Sequence, residues 1–168
     1  MSDSIENGVT GCEAVVAAAD YPVFVVTTRA GDELGGCLVG FTSQVSIDPV
    51  RFLVGLSKTN RTFAIAARAS RLTVHLLGSE QTALAALFGG ETGDDTDKFA
   101  RCAWNPGPGE VPVLSEAAGW FSGAIIQRHD FGDHVGVVLA PDSGTARPSA
   151  TRTLRMHAVQ DLRPGHQA

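Results

Sequence analysis

Six consecutive residues, Ser57-Lys-Thr-Asn-Arg-Thr62, carry three hydroxyls, an amide, a lysine and an arginine between an apolar run and a helix-forming run. Free N–H groups at a helix start, beside cationic side chains, suit an anion such as a phosphate monoester. The G-x-x-x-x-G-K-[ST] spacing of a P-loop is absent. A plain helix cap with solvated charges fits the same residues, so both readings stay open at this point. Thr42, Ser43, Gln44, Val45 and Ser46 follow a strand-like run and precede Asp48-Pro49. Short donors and approachable backbone amides there suit the polar edge of a planar heterocycle; an ordinary polar loop is the plainer alternative. Gly132-Asp-His134 sets a histidine beside a carboxylate at a turn. That pairing orients an imidazole as donor or proton carrier, or is a solvated turn. The acidic run from Phe88 to Phe99 lacks the D-x-[DN]-x-[DN]-G spacing of a calcium loop and reads as a solvated loop with one packed phenylalanine. Cys12, Cys37 and Cys102 stand far apart with no zinc spacing, so no metal site is expected, and they read as small buried or half-buried thiols.

The elements that must position these residues are mostly strands. Tyr21 to Thr28 is dense in β-branched and aromatic residues. A turn at residues 30–35 returns it as a hairpin through Gly36 to Phe41, followed by a loop that ends at Asp48-Pro49. Arg51 to Leu56 and Leu72 to Leu77 are further strands. Residues 121–128 and 134–139 flank Gly132-Asp133 as a hairpin, and residues 151–162 hold a last candidate strand. Helices are expected at residues 13–19, at 60–69 behind an Asn60 cap, and at 80–88 behind a Ser79 cap, ended by Gly89-Gly90. Residues 91–119 read as loop with one helical turn at 97–101. Hairpin-length connections imply a largely antiparallel sheet, so the expected fold is mainly β with peripheral helices, a small barrel.

At 168 residues the chain suits a single domain over 1–168, with its core at about 15–162 and a loose tail at 163–168. Thirteen basic against eighteen acidic residues give a net charge of −5, which argues against a nucleic-acid partner for the whole chain. No apolar run has membrane-span length, and the first residues lack a signal-peptide pattern, so no membrane partner and a cytoplasmic location are expected.

Taken in order, the glycine-to-Asp48-Pro49 segment, Ser57 to Thr62, Leu72 to Leu77, the helix ending at Phe88, the Asp97-Lys98-Phe99 step, Trp104, the Val111-to-Leu114 stretch and Gly132-Asp133-His134 resemble the flavin reductase-like family. These are FMN-binding split-barrel proteins that include the small reductase components of two-component flavin monooxygenases. The likeness runs from about Tyr21 to Leu139. It implies a split-barrel homodimer that binds FMN or FAD, oxidises NADH or NADPH, and serves a monooxygenase partner. It implies that Thr42, Ser43, Gln44, Val45 and Ser46 lie along the flavin ring. Ser57, Lys58, Thr59, Asn60 and Thr62 would hold the phosphate. Phe88, Gly89, Lys98 and Phe99 would line or support the site, and His134 would stand on the nicotinamide side as the catalytic histidine. A flavin-binding carrier, sensor or electron-transfer protein without turnover is the alternative, and a deazaflavin is a further one. Two features depart from the family pattern. Leu38-Val39-Gly40-Phe41 replaces hydroxyls with apolar groups and glycine, and Leu154 to Asp161 lacks the tyrosine and glycine usual at that end.

Overall fold

The computed structural model describes residues 8–146, 152–163 and 165. In chain order they form helix α1 (Gly8–Ala18), strands β1 (Phe24–Ala30), β2 (Glu33–Val39), β3 (Thr42–Ile47) and β4 (Val50–Ser57), helix α2 (Arg61–Ala66), β5 (Arg71–Leu76), helix α3 (Thr82–Gly89), the short strands β6 (Trp104–Pro106) and β7 (Pro112–Leu114), and the long hairpin β8 (Gly119–Asp130) and β9 (His134–Ala146). Seven strands make one sheet in the order β2-β1-β5-β8-β9-β4-β3, with every neighbouring pair antiparallel. β6 and β7 pair separately.

One connection dictates the shape. β2 and β3 occupy opposite ends of the seven-stranded sheet, yet only Gly40 and Phe41 join them. Six inter-strand spacings of a flat sheet would separate those ends by about 29 Å. Two linking residues reach about 11 Å. The sheet must therefore curl until its ends meet. At the seam, Gly55 N–H donates to Phe41 O at 2.7 Å. A Cβ on Gly55 would stand 3.0 Å from the Phe41 Cβ, so any larger residue there would have to push Phe41 back.

The curled sheet encloses one cluster of buried side chains, including Val26, Val54, Leu56, Leu72, Val74 and Leu139. A second cluster lies outside it, where Phe88, Leu84 and Leu87 of α3 pack with Val23, Leu77 and Leu154. His75 lies beside the second cluster at 0% exposure. Its Nδ1 faces Val25 O at 3.0 Å, and its Nε2 faces Leu114 N–H at 3.1 Å. Carbonyl and N–H together fix the neutral Nδ1–H tautomer, which ties β7 to the sheet.

Most expected elements are present, with five corrections. Residues 91–119, expected as loop with one helical turn, also carry the β6–β7 pair and a second 3-10 turn, Pro108–Glu110, because the chain folds back on itself between Trp104 and Leu114. Residues 42–47 are strand, paired with β4, because the sheet's end needs a closing partner; the loop is only the tight turn at Asp48–Pro49, whose peptide bond is cis. Ser79 does not cap α3. The N-cap is Gln81, whose side chain bonds Gly78 N–H and Glu116 O instead of its own helix. Residues 152–162 are not a strand. They touch the body through isolated bridges at Thr153 and Arg155 and then make a 3-10 turn, Met156–Ala158. Cys12 is exposed on α1, whereas Cys37 is buried and Cys102 partly so. Most of 163–168 lies outside the described residues, as does residue 151. No helix among the described residues is long and apolar enough to cross a membrane.

The His75 geometry generates a pH dependence. Burial pushes its pKa down to about 4, against an opposing contribution from the Val25 hydrogen bond. The folded pKa lies below the unfolded value of about 6.5, so the unfolded chain binds the extra proton. Stability is then full above about pH 6.5 and falls by up to about 1.4 kcal/mol per pH unit towards pH 4. Urea unfolding at pH 7, 6 and 5 should show this slope, and His75→Gln should remove most of it.

Candidate functional site

The barrel seam opens into a cleft of about 300 Å³ between the sheet, α3 and the C-terminal segment. Leu38, Val39 and Phe41 of the seam and Phe88 of α3 give it apolar walls, and Met156, Val159 and Leu162 close its outer side. Polar groups stand among them: Tyr21, Ser57, Asn60, Glu91, Thr92 and His134.

The polar end is assembled by docking the tip of the β8–β9 hairpin on the loop after β4. Lys58 N–H donates to Asp133 O at 2.9 Å. Lys58 Nζ bonds both carboxylate oxygens of Asp130, each at 2.8 Å. That contact, with a hydrogen bond from Gly132 N–H, holds the Asp130 carboxyl below its ordinary range. The tip then presents His134. Its Nδ1 is 2.8 Å from Asp133 Oδ1, and the imidazole likewise keeps the Asp133 carboxyl low. The His134 ring lies 5.0 Å from the Phe41 ring, tilted by 58°. The carboxylate behind Nδ1 and the phenyl ring beside it fix the imidazole, leaving Nε2 without a protein partner among the described residues.

The neighbouring loop forms as its sequence dictates. Asn60 is extended, and its Oδ1 accepts the Thr62 N–H at 2.8 Å, starting α2. Ser57 Oγ and Thr59 Oγ1 are 3.1 Å apart. Thr62 lies beneath them at 2% exposure, its hydroxyl bonded to the Cys37 thiol. Burial pushes that thiol up to about 11, so Cys37 is no nucleophile.

Of the residues expected to bind a cofactor, Ser57, Asn60, Phe88 and Gly89 line the cleft together with His134. Thr42 and Ser43 line an adjoining apolar hollow of about 380 Å³ on the far side of the Phe41–His134 pair, with Leu53 and Phe131. Gln44, Val45 and Ser46 lie farther along β3 and are not brought to the cleft; Gln44 Nε2 donates to Ser46 O. Lys58 and Thr59 are exposed, between the lining residues Ser57 and Asn60, and do not line the cleft themselves. Lys98 is buried behind the wall, where its Nζ donates to Gly36 O and Phe88 O, both at 3.2 Å, and lies 5.7 Å from the Phe88 ring centre. Burial lowers its pKa. Phe99 packs edge-on against Phe88, so this pair holds the wall in place.

Thr62, Lys98 and Phe99 also border a separate cleft of about 420 Å³. Asp32, Glu33, Asp94, Asp95 and Asp97 surround it, against Arg61 and Lys98. Arg61 is itself paired with Asp94 at 3.3 Å, and Asp97 caps the turn Lys98–Arg101. Asp32 and Glu33 are likewise paired, with Arg29 and Arg68. No group of three or more His, Cys, Asp or Glu among the described residues is placed to hold a metal ion.

Sequence reasoning missed Tyr21, Leu38, Thr92 and the C-terminal residues Met156, Val159 and Leu162. The last three carried a signal: apolar residues recur through residues 154–162, but at turn spacing rather than strand alternation.

Residues 17–162 match the Flavin reductase like domain. The chain belongs to that family. It is 32% identical over 116 residues to the reductase component of the flavin-dependent trigonelline monooxygenase of Acinetobacter baylyi, covering 67% of this chain and 36% of that protein. It is 29% identical over 132 residues to the FMN reductase (NADH) RutF of Methylorubrum extorquens, covering 79% of this chain and 64% of the relative. The chain thus spans less than two thirds of these curated relatives' own length. Its fold is shared with the NADH:FAD oxidoreductase SgcE6 of Streptomyces globisporus C-1027, at a TM-score of 0.78 and 20% identity, over 91% of this chain and 92% of that one. The split-barrel expectation therefore holds.

Proposed function

We propose that this protein is a flavin reductase that takes electrons from NADH or NADPH, reduces FMN or FAD, and supplies reduced flavin to a flavin-dependent monooxygenase. The observation that carries this reading is the cleft at the barrel seam. It joins flat apolar walls, Phe41 and Phe88 among them, to a rim of hydroxyl, amide and imidazole groups. A planar ring with carbonyls and ring nitrogens asks for that combination. A bound flavin would supply the electron-accepting ring, and the protein supplies orientation. The apolar walls would exclude water from the ring. Ser57 and Asn60 would reach its polar substituents, with Thr59 at the phosphate end. His134, turned by Asp133, would offer Nε2 to the incoming nicotinamide. No side chain is needed as a covalent catalyst. The family membership and the relatives named as reductases support the reading.

The cations near the phosphate end are already occupied, Lys58 by Asp130 and Arg61 by Asp94. Flavin should therefore be held chiefly by its ring and leave readily, as a diffusible product must. Asp130→Asn releases Lys58 from its ion pair while keeping an acceptor for Gly132 N–H. It should tighten FMN binding several-fold relative to riboflavin at low salt, read by flavin fluorescence titration of both ligands.

We also infer a homodimer. Phe41 is 55% exposed, and Val45, Ile47, Val50, Ile126 and Phe131 are exposed on β3, β4 and the β8–β9 hairpin, at the end where β3 leaves its outer edge unpaired. Light scattering at micromolar concentration should give twice the chain mass; a stable monomer contradicts it.

The reading as a whole is tested by adding NADH, then NADPH, anaerobically to protein with FMN or FAD. Bleaching of the flavin band at a protein-dependent rate is the expected result. Flavin binding without bleaching favours a carrier instead.

A further inference from the structure

Tyr21 lies outside the motifs that mark the site, in the short connection between α1 and β1. Its backbone is clamped by the C-terminal segment: Met156 N–H donates to Tyr21 O at 2.9 Å, and Pro22 bridges to Arg155. The preceding residue, Asp20, accepts His157 N–H at 2.8 Å while the His157 ring meets Ala17 O at 2.7 Å. These contacts aim the Tyr21 side chain into the cleft.

The ring lies on Gly40, the first residue of the seam. A Cβ at position 40 would come within 2.6 Å of the ring Cε2 and 3.5 Å of the hydroxyl oxygen. Any side chain at 40 would have to displace the ring, so Tyr21 and a glycine at 40 form one device. Among the described residues the phenol oxygen has no hydrogen-bond partner, although the ring is half-buried and borders the cleft. A phenol held rigidly at a cleft wall with an unused donor is built to meet a ligand acceptor.

Resting on the proposed function above, we propose that Tyr21 is a flavin-recognition residue. Its hydroxyl, seated through Gly40, bonds a polar atom of the bound ring.

The test titrates FMN and FAD into the wild type and four variants, Tyr21→Phe, Tyr21→Ala, Gly40→Ser and the double variant Tyr21→Ala with Gly40→Ser. Fluorescence gives the affinity and the absorbance band of the bound flavin gives its environment. Tyr21→Phe keeps the ring and the fold, and should bind about 2- to 10-fold more weakly with a shifted band. Gly40→Ser alone should weaken binding, because it displaces the ring. In the Tyr21→Ala background the same Gly40→Ser change should strengthen binding, because the serine hydroxyl then occupies the vacated space. That reversal of sign is not the signature of a merely structural contact. Wild-type affinity with an unshifted band in Tyr21→Phe overturns the assignment while leaving the flavin reading intact. Failure of the wild type to bind either flavin overturns both.

Discussion

The two residues Gly40 and Phe41 constrain the whole molecule. They join strands from opposite ends of a seven-stranded sheet, and that link is too short for any flat arrangement. Curling the sheet brings β2 against β4, and the cleft opens where they meet. Both linking residues then take a second part. Gly40 gives way to the Tyr21 ring, and Phe41 is set over Gly55 beside His134. The constraint that closes the barrel is thereby the one that shapes the candidate site.

Electrostatics separates that site from its neighbour. The larger cleft by α2 is ringed by five carboxylates, three of them paired: Asp32 with Arg29, Glu33 with Arg68 and Asp94 with Arg61. Both lining cations there are engaged, Arg61 by Asp94 and Lys98 by the carbonyls of Gly36 and Phe88, so neither is left for a phosphate. The seam cleft is apolar with a polar rim, and Glu91, its one carboxylate, is tied to Arg101. The ion pairs around the β8–β9 tip serve mainly to fix geometry. Exposed pairs contribute about 1 kcal/mol or less, but Lys58 grips Asp130 and Asp133 O at once and so sets where His134 stands.

Much of this was legible in the sequence because local chemistry and tertiary context agree. The β-branched runs became β1, β4 and β5, Asn60 caps α2, and Gly132-Asp133 turns the long hairpin. The misreadings share a cause. Thr42 to Ile47 is polar and looks like a loop, and it becomes a strand only because β4 needs an outer partner. Gln81 displaces Ser79 at α3 because its amide is recruited by Gly78 and Glu116. The C-terminal segment has strand-like residues but makes only isolated bridges, to Pro22 and Gly78, and lies across the cleft instead. Tyr21 was invisible as a site residue because its place depends on what is absent at position 40, and a missing side chain leaves no motif.

The central claim is that the seam cleft holds the flavin ring. Titrating FMN into isotope-labelled protein and following backbone amide shifts tests it most directly. The account predicts the largest shifts at Gly40, Gly55, Ser57, Gly89 and His134, with Val159 of the covering segment moving in step. Shifts confined to Asp94 through Lys98, or to Ser43 and Phe131 in the adjoining hollow, would contradict it.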